Sequence, residues 1–560
     1  MALSLLALAF LALLTVGYLG YGGWVARRFA LDDRRATPAE RLADGEDFVP
    51  TRPFYLFAQH FSAIAAAGPI AGPIIACQAF GWLPCLLWIG LGVVLIGAVH
   101  DFTSLIASVR HGAVSVAEIA REHMGRPAGR AMMAFIWIAL VYVIVAFADL
   151  TAASFVAGTE ELRQGRVAFN PGGAVAAASL MYLALAVLLG LVQRFLKPPL
   201  WLVTATFVPA TFALAWLGTR LSHVVVLDHR SWALLILLYC CVASLVPVWA
   251  LLQPRGYLGG FMLYAALAIG IVGVFFGGHE IRQPAFRTWD AGGMTGALFP
   301  FLFVTIACGA CSGFHGLVCS GTTSKQVQRE SHTRPIGYGA MLAEGFVALI
   351  ALVTVMIAAP GSLEGLAPGT IYGNGIGEFL TLLIGRERLP FAVTFGAMAF
   401  STFVFDTLDV CMRLGRYIVQ ELAGWRGRAG ALAGTLATVA LPAYFVLLAP
   451  KGSWVKFWTL FGASNQLLAG LTLLAISVWL RQARQRIGFT LIPMAFVLTI
   501  TLWALGKLVV ANLAASRGFD LELVNALAAS ALIGLALYLV VTALARLRAE
   551  RRAPLASTPL

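Results

Sequence analysis

Residues 54–102 read FYLFAQHFSAIAAAGPIAGPIIACQAF, then GWLP, then CLLWIGLGVVLIGAVHDF, and this stretch decides the fold. Its first part is apolar enough to cross a bilayer, yet two Gly-Pro pairs, Gly68-Pro69 and Gly72-Pro73, sit near its middle. Each proline removes a helix hydrogen bond and clashes with the carbonyl one turn back. The glycine beside it lets the chain leave helical geometry cheaply. Such a break survives in hydrocarbon only where protein, water or a solute satisfies the freed backbone groups. Transporters use it to aim half-helix ends and loosened carbonyls at a substrate or coupling ion near the midplane. Ala67 to Ile74 is therefore predicted to be the unwound part of a binding site. The plainer alternative is a proline-kinked helix with a packing role only.

Composition places the rest of the chain in the same solvent. Of 560 residues, 60% are hydrophobic and 12% charged, against about 25% charged in ordinary soluble chains. Apolar windows of spanning length follow one another. They predict an all-α polytopic membrane protein with about fifteen transmembrane helices: 4–25, 54–80, 82–108, 129–157, 173–193, 199–217, 232–252, 256–277, 294–318, 336–360, 390–412, 430–449, 455–480, 488–511 and 522–546. Met1 to Ala26 has no basic n-region and no clear cleavage site, so it reads as a retained first span.

The net charge of +13 sits mostly in short loops and is not a nucleic-acid signature. With the N-terminus outside, inner loops hold 27 Lys/Arg and outer loops 11, with Lys507 inside a span near an outer end. The positive-inside rule then places the C-terminus in the cytoplasm. Residues 26–52, with six Arg against six Asp/Glu, read as a partly ordered cytoplasmic linker. Residues 360–389 form the longest outer loop, and IYGNGIGEFLTLLIG within it (371–385) reads as an interfacial, re-entrant or lid segment. The tail ARLRAERRAPLASTPL is a basic stop followed by an end predicted to be disordered.

A second polar stretch is LFPFLFVTIACGACSGFHGLVCSGTTS (298–324), which begins apolar and dissolves into Gly, Ser and Thr. Hydroxyls and freed carbonyls are hard oxygen ligands suited to sodium or a polar solute. Cys308-x-x-Cys311, with His315 four residues on, could instead belong to a zinc or redox site. Close packing of small residues is the favoured reading of the two cysteines. All eight cysteines lie in or at the ends of spans, which excludes a secreted disulfide framework.

Ionisable residues inside spans are expensive and so are functional candidates. They are His60, His100, Asp101, Asp149, Glu344, Asp406, Asp409 and Lys507, with Asp101, Asp406 and His60 the better proton or ion carriers. Asp409 is expected to pair with Arg413 four residues on. The candidate substrate- and ion-binding residues are His60, Ser62, Gly68, Pro69, Gly72, Pro73, Asp101, Thr305, Ser312, Gly313, His315 and Asp406. No catalytic residue, resident metal or organic cofactor is expected, only a coupling ion, H⁺ or Na⁺, with the titratable groups favouring H⁺.

These residues lie in motifs that resemble the carbon starvation protein A (CstA) family of inner-membrane transporters. The motifs are HFSAIAAAGPIAGPI (60–74), GWLP with GAVHDF (81–102), VPVWALLQPRGYL (246–258), TIACGACSGFHGLVCSGTTSK (305–325), YGAMLAEG (338–345), STFVFDTLDVCMRLGRYIVQEL (401–422) and LFGASNQLLAG (460–470). The resemblance implies ion-coupled uptake of small organic nutrients such as peptides or pyruvate during carbon starvation. It also implies a distant relation to the amino acid–polyamine–organocation transporters, whose LeuT-like core is an inverted repeat of five helices. On that relation the chain divides into a first helix and linker (1–53), a ten-helix core (54–412), family-like C-terminal helices (413–480) and two further helices with a basic tail (481–560). The sixth core helix would be 232–252, interrupted near Pro247, and 294–318 would face the first core helix across an ion site. The family usually has a second His where Gln59 stands and Gln where His100 stands, so the substrate does not transfer. A membrane-embedded metal or redox protein and a nutrient sensor are the alternatives. The absence of a GxxxxGK[ST] loop argues against a self-contained ATP-driven pump.

Overall fold

The computed structural model describes residues 3–45, 47–159, 169–292, 296–448 and 454–552. Among them the regular structure is helical, and the extended pairing is limited to two isolated bridges, Thr51 with Val327 and Asp290 with Ala297. Twelve helices are long and apolar enough to cross a membrane, and the bent pair Pro53–Ile64 and Gly68–Phe80 makes thirteen. Two more of the fifteen expected spans correspond to shorter elements. One is the 17-residue helix His229–Leu245, and the other is the pair Leu298–Thr305 and Gly313–Gly321. The tail from 553 onward lies outside the described residues.

Burial sorts these helices into a core and a lipid-facing shell. Trp454–Gln482 is buried along its apolar length, and Glu330–Met356 and Arg386–Ala423 nearly so. Leu3–Arg28, Leu200–Arg220 and Leu521–Ala549 keep most of their apolar side chains on the outside. A helix that is hydrophobic all round belongs inside a larger bundle or in lipid; here both fates occur in one chain.

The break falls earlier than the sequence predicts. Pro53–Ile64 ends at Ala65, residues 65–67 are non-helical, and Gly68–Phe80 is a continuous helix bent 44° from the first. The expected unwound stretch Ala67 to Ile74 is thus mostly helical. The reason is the position of Pro69 in the first turn, where a missing N–H costs nothing and the fixed φ suits the helix. Pro73 lies inside the helix and leaves the Pro69 carbonyl without its usual donor. The turn at GWLP is as expected: Gly81 has φ +91° and joins Gly68–Phe80 to Trp82–Gly92.

The Pro-rich segment after His229–Leu245 is not an interruption within one span. The helix stops at Val246, ahead of Pro247, a 3₁₀ turn follows at Val248–Ala250, and a separate 25-residue helix runs Leu252–Phe276. The second broken helix is instead 298–321, unwound over 306–312. Residues 371–384 belong to a further helix, Pro368–Ile384, which Gly385 ends and which packs into the bundle against Leu389–Ala423 and Ala340–Met356.

The linker 26–52 is docked. The Asp32 N–H donates to Glu330 Oε2 (3.0 Å), Arg110 Nη2 lies 3.0 Å from the same oxygen, and the Thr51 N–H donates to the Gln326 carbonyl (3.1 Å). The Ser331 N–H and hydroxyl donate to Asp33 and hold its carboxyl below the usual carboxylate range.

Candidate functional site

Two breaks meet at the centre of the bundle. A Cβ at Gly72 would lie 2.6 Å from the Thr305 carbonyl oxygen, and one at Gly68 would overlap the Cys308 side chain. Gly309 approaches Pro69, and Gly97 of the third span faces the Ala310 carbonyl. Glycine is required at Gly68, Gly72 and Gly97 because backbone meets backbone or a fixed side chain there, not because of a special φ. Gly313 has the same role against Asn465 and Leu468.

The carbonyls freed by the second break are largely taken. Trp458 Nε1 donates to the Thr305 carbonyl and Trp88 Nε1 to the Ile306 carbonyl, both at 3.1 Å. Asn465 closes the turn: its Nδ2 donates to Ser312 Oγ (3.0 Å), and its Oδ1 accepts the Phe314 N–H (2.9 Å). A buried backbone group needs such a partner. Asn465 and Trp458 come from Trp454–Gln482, a helix beyond the expected 54–412 core.

Below the second break the titratable groups converge. His315 Nδ1 lies 2.8 Å from Asp101 Oδ2, and His315 Nε2 lies 3.2 Å from Glu344 Oε2. Asp101 Oδ1 accepts from His100 Nδ1 at 2.7 Å. All four side chains are buried. His315 is hydrogen-bonded to Asp101 and within ion-pair distance of Glu344, so two carboxylates stand ready to balance one extra proton on the ring. His60 stands beside this group. Its Nδ1 is 2.8 Å from Thr323 Oγ1, and its Nε2 is 3.9 Å from Cys319 Sγ, which itself contacts the Asp101 carbonyl. Ser62 points elsewhere, toward Gly260.

Asp406 does not belong to this cluster. It and Asp409 flank Arg255, with Arg255 Nη2 2.6 Å from Asp406 Oδ1 and 3.0 Å from Asp409 Oδ2. Tyr239 donates to Asp409 (2.8 Å), and Tyr182 donates to the Arg255 carbonyl (2.8 Å). The expected Asp409–Arg413 pair is replaced because Arg413 reaches the Ala243 and Val246 carbonyls and caps His229–Leu245. Arg255 sits at the start of its helix, where the sequence suggests only a loop charge. In the bundle it braces three helices.

Cys308, Cys311 and His315 do not form a metal site. Cys308 accepts from Asn465 (3.2 Å) and lies against Gly68, whereas His315 turns to Asp101 and Glu344. Glu344 and Asn465 complete the centre, although neither is among the expected substrate- and ion-binding residues. Glu344 was visible as a lone acid in an apolar run, and Asn465 only within LFGASNQLLAG.

The carbon starvation protein CstA model matches residues 1–374 and 364–504. The chain belongs to the CstA family. A peptide transporter CstA of Campylobacter jejuni is 33% identical over 89% of this chain and 79% of its own length. The pyruvate/proton symporter BtsT of Escherichia coli is 31% identical over 88% of this chain and 79% of its own. Bacillus subtilis has a peptide transporter CstA that is 32% identical over 88% of each chain. A manganese transporter from Eremococcus coleocola covers 91% of this chain at 11% identity and a TM-score of 0.46, too slight a likeness to fix the order of the helices. The two broken helices and the His315 cluster therefore lie in the part of the chain that the CstA model spans.

Proposed function

We propose that the protein is a secondary active transporter that takes up a small organic nutrient, a peptide or pyruvate, by symport with protons across the inner membrane. The observation that carries this reading is His315 held between Asp101 and Glu344 beneath two opposed helix breaks. Buried groups of this kind mark proton relays in transporters. Sodium would call for several oxygen ligands, and the Thr305 and Ile306 carbonyls each already give one of their two lone pairs to an indole N–H. The names of the relatives supply the substrate class.

A polar cavity of 570 Å³ offers an approach from the expected outer side. His279, Arg282, Thr354, Asn374 and Glu378 line it. Thr354 is ten residues beyond Glu344 on the helix Ala340–Met356, about 15 Å along its axis. A larger crevice of 1110 Å³, walled by Trp24, Leu87, Phe299 and Phe496, is almost wholly apolar and suits acyl chains rather than an ionic nutrient.

Uptake of labelled pyruvate and of short peptides into proteoliposomes, with an imposed pH gradient or sodium gradient in turn, tests the proposal. Accumulation under the pH gradient alone is the expected result. Accumulation that needs sodium and ignores pH rejects proton coupling, and no accumulation of any solute rejects transport.

The distribution of basic residues supports an N-terminus outside and a C-terminus in the cytoplasm. Every native cysteine except Cys241 is buried, so introduced cysteines can be read against a low background. A cysteine placed in 361–367 should react with an impermeant maleimide added outside intact cells, and one in 483–487 only after lysis. Reversed labelling inverts the topology.

A further inference from the structure

Three metal-ligating side chains meet away from the central cluster, where the third span hands over to the helix Val116–Met124. His111 Nε2 lies 2.8 Å from His123 Nε2. Together with a Glu122 carboxylate oxygen these atoms lie within 4.8 Å of one another. The other nitrogen of each ring decides how the pair must be read. His111 Nδ1 stands 2.6 Å from the Ala107 carbonyl oxygen, which can only accept, so Nδ1 carries the hydrogen. His123 Nδ1 stands 2.5 Å from Gln482 Oε1, and Gln482 Nε2 donates to the His123 carbonyl (3.3 Å), which fixes the amide with its oxygen toward the ring. In their neutral forms both rings present an Nε2 lone pair, and the two lone pairs face each other at hydrogen-bond distance. A proton or a metal ion between them relieves that clash.

We propose that His111, His123 and Glu122 form a site for a divalent transition metal of the zinc class. Zinc takes imidazole nitrogen at about 2.0–2.1 Å, so a tetrahedral ion holds its two nitrogens about 3.3 Å apart. The rings need to part by about half an ångström and to tilt so that both lone pairs converge on the ion. Metal-bound histidines characteristically donate the remaining ring N–H to a backbone carbonyl or similar acceptor, which fixes tautomer and orientation. Ala107 and Gln482 already fill that role. Trp479 packs edge-on against His111, with centroids 5.0 Å apart, and holds its ring in place. Both histidines are partly buried and Glu122 is exposed. An ion held there joins the end of Ala98–Arg110, the helix that carries Asp101, to Val116–Met124 and, through Gln482, to Trp454–Gln482.

The test is titration of the purified full-length protein, carrying no polyhistidine tag, with Co²⁺ as a spectroscopic stand-in for Zn²⁺. One equivalent per chain should give visible ligand-field bands without a thiolate charge-transfer band, because the cysteines are not in the site. Zn²⁺ should abolish the bands and Mg²⁺ should not. His111→Ala and His123→Ala should each lose the spectrum. The exposed Glu122→Gln, which does not threaten folding, should weaken binding. Gln482→Ala, acting through His123, should weaken it by about 10- to 100-fold. No binding by the wild type means that a shared proton alone occupies the pair, and the proposal falls. It falls equally if full binding survives in either histidine variant.

Discussion

Gly72→Leu is expected to insert into the membrane at normal levels and to transport nothing. The first carbon of the new side chain would lie 2.6 Å from the Thr305 carbonyl oxygen and 3.3 Å from the Ile306 Cα. Both are backbone, so neither can swing aside as a side-chain tip would. Overpacking of this kind costs about 1–3 kcal/mol or more, and here the cheapest relief is separation of the two helix breaks. Separation pulls the Thr305 and Ile306 carbonyls away from Trp458 and Trp88 and shifts the helix that bears His315. Leucine itself favours a membrane helix, so expression and insertion should survive. Gly72→Ala carries the same first contact with less bulk and should fall between wild type and Gly72→Leu. The measurement is substrate uptake normalised to membrane-inserted protein. Wild-type uptake by Gly72→Leu would show that the two breaks need not touch for the protein to work.

The sequence signals the first break but misplaces it by a few residues, and it expects the second interruption near Pro247 rather than at 306–312. Two Gly-Pro pairs announce a discontinuity, yet proline in the first turn of a helix is a start signal as much as a stop signal. Gly68-Pro69 therefore opens the second half-helix, and the unwinding falls on Ala65 to Ala67. The second break falls on IACGACS (306–312), where two alanines favour helix, while the Gly- and Ser-containing stretch after it forms the helix Gly313–Gly321, so propensity along the chain does not locate it. Partners were harder to read. Asp406 and Asp409 share a helix face with Arg413, and local spacing suggested that pair. The cation that serves them, Arg255, is more than 150 positions away. Glu344 lies in a helix that is apolar on every side, so no periodicity shows which way it faces. Its role follows only once His315 is seen to reach it. Pro368–Ile384 defeated a hydropathy reading for another reason: its glycines pack against Ala397, Thr354 and Val393, so it is held by close fit inside the bundle rather than by lipid.

Asp101→Asn is expected to abolish accumulation under a pH gradient while leaving substrate exchange across the membrane. Asparagine keeps the shape and can still accept from His315 Nδ1, but it removes one of the two carboxylate charges that flank the ring. With only Glu344 left to balance it, the proton that drives uptake is no longer carried. Exchange does not require the proton to be released on one side and regained on the other, so it can persist. Glu344→Gln removes the other charge and should behave alike. Asp406→Asn is the informative contrast, because Asp406 shares no residue with this cluster and its charge serves Arg255 instead. That variant should lose thermal stability and retain its coupling. The readouts are accumulation ratio, counterflow rate and thermal unfolding of all three variants. Full accumulation by Asp101→Asn would remove the proton path from His315, and loss of coupling in Asp406→Asn alone would place it on the Asp406 and Asp409 carboxylates instead.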